Sequence, residues 1–190
     1  MKQSPKRRAS PYMAAVTRVT LTETALGWIA AAWVGERLAT LVFGHRTPEE
    51  AVSALDLPPD AAVEPDVQQD AFTRRLQAYA SGTPDDFTDV PVLLDDLTKF
   101  QQRVLQRCRR IPCGRTLTYQ QLARQCGRPR AARAVGGVMA RNRIPWVIPC
   151  HRVVGTNGSL GGYSAPGGLA TKRRLLQLEN AQWLSTANRT

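Results

Sequence analysis

Hydrophobic and polar residues alternate along residues 12–45 in a pattern that predicts a small antiparallel sheet. The segment YMAAVTRVTLTETALGWIAAAWVGERLATLVFGH places β-branched and aromatic residues between turn signals near Thr24, Gly27 and Gly35. Runs of this kind, separated by short turns, are typical of strands joined as hairpins. We therefore expect three strands in a meander.

Helical patterns follow the sheet twice. Thr47 stands as an N-cap before Pro48, and Glu50 is placed to complete a capping box. Farther along, residues 65–82 carry an apolar stripe at helical spacing, with Gly82 as the expected stop. That stripe consists of Phe72, Leu76 and Tyr79. The first half of the chain is therefore predicted to mix α and β structure.

The second half predicts three helices. The segment LTKFQQRVLQRCRRI opens with Thr98 and Gln101 as a capping box, and a second box, Thr118 with Gln121, opens the next helix. A third helix is expected in RAARAVGGVMARN. Two short helices with a Gly-Arg-Pro-Arg turn between them outline a helix-turn-helix, whose second helix usually enters a DNA groove.

The charges divide the chain into two parts. Residues 1–97 carry nine basic and fourteen acidic side chains, whereas residues 98–190 carry seventeen basic side chains and a single acid, Glu179. We therefore predict two domains. Their expected bounds are 12–90 and 91–184, with a disordered basic tail at 1–11 and a second tail at 185–190. A half without compensating carboxylates projects a positive field, which favours nucleic acid as its partner and leaves anionic lipid or a ribosome as alternatives.

The composition favours a soluble protein of the cytoplasm. With 190 residues, of which 43% are hydrophobic, the chain can bury a core. The four cysteines form no CxxC pair, so reduced thiols are expected. No apolar run approaches the roughly 18 residues of a membrane span, and the basic start lacks the apolar core of a signal peptide.

The third predicted helix of the basic half is unusual for one that enters a DNA groove. It offers mostly Ala, Val and Gly, and Arg133 is its one long side chain before Arg141. Small residues let a helix approach the sugar-phosphate walls, which favours binding by shape with little base readout. Gly136 and Gly137 are equally consistent with a helix made small to pack tightly in the core.

Candidate chemistry lies in IPWVIPCHRVVG, where Cys150 and His151 are consecutive. The chain is then expected to turn in a hairpin near Asn157-Gly158. A free thiol is mostly protonated at neutral pH, and a nearby base or positive field raises its thiolate fraction. Glu179 is the candidate to orient the imidazole. Spacing alone leaves a catalytic and a structural thiol equally open.

PCHRVV, preceded by ARAVGGVMARNRIP and followed by GSLGGYSAPGGLATKRRLLQLE, resembles the DNA alkyltransferases that repair O6-alkylguanine, the methylated-DNA–protein-cysteine methyltransferases. The likeness runs from about Phe100 to Glu179 and includes IPCGRTLTYQQLA. The first half is similar only in outline to the ribonuclease-H-like domain of this family. The resemblance implies an α+β fold, in which a small ribonuclease-H-like α/β domain precedes a mostly helical, winged helix-turn-helix-like domain.

The resemblance also implies the chemistry. Cys150 would take the alkyl group from O6-alkylguanine, and also from O4-alkylthymine, after the base is flipped out of the duplex. The reaction would be irreversible and limited to a single turnover, with neither cofactor nor metal. His151 would act as the base through a water molecule, with Glu179 orienting it. Asn142 would brace the active-site turn, and Tyr119 would hydrogen-bond N3 of the guanine.

The same resemblance implies that a monomer binds double-stranded DNA through the minor groove and is associated with the nucleoid when bound. Arg133 would fill the gap that the flipped base leaves. Tyr163 and Ser164 would cover the O6 edge, and backbone groups of Cys150 and Val153 would accept from the exocyclic amine. The residues expected to bind DNA or the base are Arg133, Val153, Tyr163, Ser164, Met139 and Arg152.

Two departures from the family pattern matter. The loop GGYSAPGGLATK is two residues longer after Ser164 than in some relatives, which leaves open the positions of Lys172 and of the lid over the pocket. The first half has no cysteine and one histidine, His45, so it cannot form the structural zinc site of some eukaryotic relatives.

Two alternatives belong to other functional classes. An alkyltransferase-like protein would flip the base without reacting with it, but such a protein lacks the nucleophile that Cys150 supplies. A winged-helix transcription factor would read the base sequence, which the apolar helix around Arg133 disfavours.

Overall fold

The computed structural model describes residues 13–58, 65–66 and 70–181 of the chain. The predicted tails at 1–11 and 185–190 lie outside the described residues. The strands are β1 (Arg18–Thr24), β2 (Gly27–Val34), β3 (Arg37–His45), β4 (Pro65–Asp66), β5 (Leu117–Thr118) and β6 (Val153–Val154). The helices are α1 (Pro48–Ser53), α2 (Ala71–Ala80), α3 (Lys99–Arg109), α4 (Tyr119–Gln125), α5 (Ala132–Ala140) and α6 (Gly168–Leu178), with 3₁₀ turns at Met13–Ala15 and Cys150–Arg152. Within these ranges no helix has the length and apolar character needed to span a bilayer.

The predicted meander forms the larger sheet. β1 pairs antiparallel with β2, β2 pairs antiparallel with β3, and the short β4 adds in parallel beside β1. The strand order is therefore β3-β2-β1-β4. Gly27 closes the first turn with a φ of +96°, and a Cβ at this position would lie 2.7 Å from the carbonyl oxygen of His45. The start of β2 therefore requires glycine.

Helices cover both faces of this sheet. Alternate residues of β2 point to opposite sides, as in any strand. Ile29 and Trp33 belong to the large core that includes residues of α2, whereas Ala30 and Ala32 pack in a smaller cluster with Ala51 of α1. The predicted apolar stripe of α2 is confirmed, because all three of its members are buried.

Helix α1 begins as predicted, but its capping box is not reciprocal. The Thr47 side chain accepts from the Glu50 amide at 3.2 Å, as expected. The Glu50 carboxylate accepts instead from the amide of Arg46 at 3.0 Å. The carboxylate therefore accepts from the amide of Arg46, one residue before the N-cap, and not from the amide of the N-cap residue Thr47.

The helix starts of the second half are confirmed. Thr98 with Gln101 and Thr118 with Gln121 both form reciprocal capping boxes. Helix α5 follows α4 after the predicted turn and packs against both α4 and α3. The two helices of the predicted helix-turn-helix are thus in direct contact.

The hairpin predicted after the Cys-His pair is not a pair of strands in the described chain. A turn does form there, and the Gly158 amide donates to the Gly155 carbonyl at 3.2 Å. Strand β6 pairs in parallel with β5 instead. The residues that follow the turn include Gly161 and Gly162, which are exposed and have little strand propensity.

The two halves share one hydrophobic core. Trp146, just before the Cys-His pair, packs on Phe43 of β3 with ring centroids 4.9 Å apart and on Tyr79 of α2 at 5.0 Å. The Leu41 amide donates to the Arg143 carbonyl at 2.8 Å. The sheet and α2 therefore support the segment that carries the candidate chemistry, and the structure is of the α+β class. The domain boundary near residue 90 stays a prediction.

Candidate active site

Cys150 is 7% exposed and its sulfur is held by Asn142. The side-chain Nδ2 of Asn142 donates to Cys150 Sγ at 3.2 Å and to the Ile148 carbonyl at 2.8 Å. Its Oδ1 accepts from the Ile144 amide at 3.1 Å. Asn142 thus ties the turn together and aims an N–H at the atom where negative charge develops when the thiol ionises. This geometry suits the bracing role expected for Asn142.

Backbone strain lies close to the thiol. Trp146 has a φ of +70°, in the left-handed region that residues other than glycine rarely adopt. Such a conformation costs about 1–3 kcal/mol and persists only where the surroundings enforce it. Here Phe43 and Tyr79 pack against the indole. The turn that presents Cys150 is therefore held in shape by contacts from the first half of the chain.

His151 is fully buried beside the carboxylate of Glu179. Its Nε2 lies 2.9 Å from Glu179 Oε1. Burial lowers the pKa of His151, and Glu179 offsets only part of that effect, so the ring is neutral at pH 7. A neutral ring that donates from Nε2 has its lone pair at Nδ1. Because Nδ1 has no hydrogen-bond partner among the described residues, it can accept a proton.

The Glu179 carboxylate is the centre of a buried network at the end of α6. Besides the contact with His151, Oε1 accepts from Arg152 Nη2 at 2.8 Å and Oε2 accepts from Arg152 Nε at 3.0 Å. Burial alone would raise the pKa of Glu179, but the hydrogen bond from His151 and the hydrogen bonds and charge of Arg152 hold it well below its ordinary value. Since His151 is neutral, Arg152 supplies the permanent positive charge beside this carboxylate.

The structure corrects the DNA-binding role predicted for Arg152. The side chain is fully buried, and its Nη1 donates to Asp86 Oδ1 at 2.8 Å and to the Ile111 carbonyl at 2.6 Å. A buried guanidinium requires such partners, and they leave none of it accessible to a phosphate. Arg152 therefore acts as an internal counter-ion for Glu179.

Two side chains from the first half reach this network, and neither was predicted from the sequence. The Tyr79 hydroxyl donates to Glu179 Oε1 at 2.5 Å, and Asp86 pairs with Arg152. Burial raises the pKa of Tyr79 well above its ordinary value, so the phenol keeps its proton and stays a donor. The sequence did contain a signal for Tyr79. It is a tyrosine within an apolar stripe predicted to be buried, and a buried hydroxyl needs a polar partner.

Tyr119 opens α4 and is half-buried between two glycines. A Cβ on Gly136 of α5 would lie 3.9 Å from its ring, and a Cβ on Gly161 would lie 2.8 Å from its hydroxyl. Gly161 therefore leaves room for the phenol, whereas a Cβ on Gly136 would make only an ordinary van der Waals contact with the ring. Burial, followed by the nearby Cys150, raises the pKa of Tyr119, so its hydroxyl is a donor at neutral pH.

Tyr163 and Ser164 lie on the loop after β6 and differ in exposure. The Tyr163 side chain is half-buried with its hydroxyl out of solvent, whereas Ser164 is exposed. Burial raises the pKa of Tyr163 well above its ordinary value, and the neighbouring Cys150 adds to the shift. Tyr163 is therefore a neutral phenol next to the thiol.

Lys172 of α6 anchors the same loop from inside the protein. It is fully buried, and its Nζ donates to the carbonyls of Val153, at 2.6 Å, and Leu160. Burial lowers the pKa of Lys172 to about 8. These two bonds establish the position of Lys172, which the longer loop had left open. The Val153 carbonyl oxygen has a second lone pair, so it can still accept a hydrogen bond from the exocyclic amine of a guanine.

The two α5 residues expected to bind DNA lie on opposite faces of the helix. Arg133 is exposed near its start, whereas Met139 is buried in the core with Val135 and Val138. The inner face of α5 therefore packs in the core. This agrees with the interpretation that the helix is made of small residues in order to pack tightly. Its outer face leaves Arg133 accessible.

Exposed arginines cover the surface of the second half. Among the residues that the structure describes they are Arg103, Arg107, Arg110, Arg115, Arg124, Arg128, Arg130, Arg133, Arg141, Arg173 and Arg174. A surface of this kind attracts polyanions. Across the part of the chain that the structure describes, no group of three or more His, Cys, Asp or Glu residues is arranged to hold a metal ion.

Comparison with known proteins gives matches in sequence. Residues 99–181 match the family described as 6-O-methylguanine DNA methyltransferase, DNA binding domain. The chain is 46% identical over 113 residues to a methylated-DNA–protein-cysteine methyltransferase of Mycobacterium leprae, covering 59% of this chain and 66% of that protein, which is just under two thirds. It is 42% identical over 123 residues to the protein of the same name from Methanosarcina acetivorans, covering 65% of this chain and 76% of that protein.

Similarity in structure extends over both halves of the chain. The crystal structure of Mycobacterium tuberculosis OGT in complex with DNA is similar with a TM-score of 0.70 and 35% identity, over 87% of this chain and 95% of that one. This coverage reaches well beyond residues 99–181.

Proposed function

The chain belongs to the family of methylated-DNA–protein-cysteine methyltransferases, and we propose that it repairs DNA by moving the alkyl group of O6-alkylguanine irreversibly to Cys150. The observation that carries the proposal is the arrangement around His151, a neutral imidazole that is held at Nε2 by a buried carboxylate and follows the thiol directly in the chain. O4-alkylthymine is a proposed second substrate.

In the proposed reaction His151 takes the thiol proton at Nδ1 through a bridging water, and the thiolate attacks the alkyl carbon. A sulfur–carbon bond forms as the bond from that carbon to O6 breaks, and the electron pair of the broken bond returns to the guanine. Tyr119 donates at N3, so the guanine leaves as a neutral base. The thiol proton ends on His151, and the proton that the guanine gains comes from Tyr119. Proton exchange with water then returns both side chains to their neutral forms, so the overall reaction moves one proton from sulfur to guanine. The product is a thioether, so each protein molecule reacts once.

Glu179 supports the imidazole of His151 in this scheme, and Arg152 supports Glu179. The carboxylate fixes which nitrogen of His151 carries the proton and stabilises the imidazolium that forms. Arg152 keeps that carboxylate ionised. Asn142 stabilises the sulfur as it becomes negative, since its N–H already points at Sγ.

The flipped base is proposed to lie between the loop after β6 and the start of α4. Tyr163 and Ser164 would cover its O6 edge, and carbonyl groups of Cys150 and Val153 would accept from its amine. Support comes from the burial of the Tyr163 hydroxyl beside the thiol and from the space that Gly161 leaves at Tyr119.

The proposed partner is double-stranded DNA. The similar Mycobacterium tuberculosis protein has a crystal structure in complex with DNA, and exposed arginines cover α3 to α6 of this chain. We propose a ribonuclease-H-like first domain and a winged helix-turn-helix-like second domain, with α5 in the minor groove and Arg133 in the place of the flipped base. The proposed binding unit is a monomer, located in the cytoplasm and at the nucleoid when bound to DNA.

Transfer of a radiolabelled methyl group from duplex DNA tests the proposal. We expect one methyl group per protein molecule, no further transfer with excess DNA, and no transfer by Cys150→Ser. Cys126→Ser is the matched control, because Cys126 is a buried thiol at the end of α4, and it should retain full transfer. Repeated turnover, or unchanged transfer by Cys150→Ser, would contradict the proposal.

A further inference from the structure

Tyr79 of α2 touches the buried carboxylate from the first half of the chain, and we propose that it is a positioning residue for the alkyl transfer. Its hydroxyl restrains Glu179 and limits how strongly that carboxylate holds a proton on His151. The inference rests on the proposed function. It gives the first half of the chain a task in the reaction, since α2 supplies the donor.

Three side chains donate to one oxygen of Glu179. The Tyr79 hydroxyl donates to Oε1 at 2.5 Å, and His151 Nε2 lies 2.9 Å from the same oxygen. Arg152 is the third, through Nη2 at 2.8 Å and Nε at 3.1 Å. The Tyr79 hydroxyl is also 3.3 Å from His151 Nε2. Tyr79 and His151 therefore compete as hydrogen-bond donors for a single carboxylate oxygen.

Aromatic contacts fix the ring of Tyr79. Its centroid lies 5.0 Å from that of Trp146 and 5.6 Å from that of Phe87, and the residue is 2% exposed. The ring contacts therefore hold the hydroxyl against Glu179 Oε1 and beside His151 Nε2. A phenylalanine at this position would keep both ring contacts and remove only the donor.

The groups that face His151 and its carboxylate come from several elements. They are Lys172 of α6 and Glu179 at its end, Cys150 and Arg152 of the 3₁₀ turn, Tyr79 of α2, Tyr163 of the loop after β6, and Cys113 of the turn after α3. Asp86 and Cys108 act on Arg152, the next member of the network. Arg152 and Lys172 disfavour a proton on His151, whereas Glu179 favours one. Tyr79 is a neutral donor on Glu179. Without it, more negative charge stays on Oε1, and the carboxylate holds an imidazolium more strongly.

Tyr79→Phe in the full chain tests the proposal through two measurements. An NMR titration of the His151 ring reports its pKa, and the rate of reaction with free O6-benzylguanine is followed against pH. We expect the pKa of His151 to rise by about one unit and the acid limb of the rate profile to move up with it. On the acid limb of the profile the rate should fall several-fold, whereas on the plateau above that limb it should stay within roughly twofold of the unaltered protein.

Thr20→Val is the matched control for a loss of stability. The Thr20 hydroxyl is buried on β1 and accepts from Trp33 Nε1 at 3.2 Å, so its removal weakens the first half without touching Glu179. Thermal unfolding verifies that both variants are folded. We expect Thr20→Val to leave the pKa of His151 and the acid limb unchanged. An unmoved pKa in Tyr79→Phe, or a loss of rate that is equal at every pH, overturns the positioning role.

The outcomes also separate this inference from the proposed function. If the unaltered protein reacts with neither O6-benzylguanine nor alkylated duplex DNA, the proposed function fails. The NMR titration needs no reaction, so it still decides whether Tyr79 controls the proton on His151.

Discussion

Nε2 of His151 lies 2.9 Å from Oε1 of Glu179, although 28 residues separate the two along the chain. They meet because α6, whose C-cap is Glu179, packs against the 3₁₀ turn that begins at Cys150. The contact fixes both the orientation of the imidazole and the nitrogen that carries its proton. The other nitrogen is the base of the proposed reaction.

Loss of Arg152 should strongly destabilise the protein. We expect Arg152→Met to lower the free energy of unfolding by about 3–5 kcal/mol, because Glu179 would remain as a buried charge without its main cation. Urea denaturation followed by circular dichroism measures the change. Arg37→Met is the control, since Arg37 pairs with Asp95 at the surface and both side chains are about half exposed (45% and 56%). It should cost about 1 kcal/mol or less, and equal losses in the two variants would contradict the importance of the buried network.

The stability that Glu179 contributes should depend on pH in a defined direction. Its pKa is lower in the folded state than in the unfolded chain, so below about pH 4 the unfolded state binds the extra proton and stability falls. We expect the unaltered protein to exceed Glu179→Gln in free energy of unfolding at pH 7, and the difference to shrink as the pH falls below about 4. Urea denaturation at a series of pH values checks this. A difference that grows toward acid would show that the sign is wrong.

The features that could be predicted from the sequence are local. The capping boxes at Thr98 and Thr118 depend on residues three positions apart, and the meander depends on alternation between short turns. Both follow from patterns within a few residues, so tertiary packing did not have to be known. Glu179 was found because it is the one acid of a basic half and because it ends a family motif.

The features that were missed depend on contacts between distant parts of the chain. Tyr79 lies 100 residues from Glu179, and Asp86 lies 66 residues from Arg152. Helical spacing predicts that Tyr79 is buried but does not identify the partner of its hydroxyl. Arg152 was assigned to DNA because a buried arginine and an exposed one look alike in a sequence, and only the folded chain brings its acidic partners to it.

The space around Tyr119 should control the reaction rate. In Gly161→Ala the new Cβ would meet the Tyr119 hydroxyl at 2.8 Å, so the phenol must move away from the base. We expect transfer to slow by about tenfold or more. Gly35→Ala is the control, because Gly35 also has a positive φ but a Cβ added there would have no atom within 4 Å. Both variants should lose about 1–2 kcal/mol of stability, and an equal effect on rate would contradict the role of this space.

Arg133 should matter for duplex DNA and not for the chemical step. Filling the gap left by a flipped base lowers the free-energy cost of unstacking. A free base is not stacked in a duplex, so its reaction has no such cost. We expect Arg133→Ala to slow repair of an alkylated duplex by about tenfold or more and to leave the reaction with free O6-benzylguanine within about twofold. Arg37→Ala, an exposed arginine of the first half, should change neither rate. Comparable losses with both substrates would rule out this role.

The identity of the group that keeps the alkyl carbon is the most direct test. The protein is allowed to react with duplex DNA that contains O6-methylguanine, and its peptides are then examined by mass spectrometry. We predict that one methyl group replaces one hydrogen at Cys150, while Cys108, Cys113 and Cys126 stay unmodified. An unmodified Cys150 after the DNA has lost its methyl group would contradict the assignment.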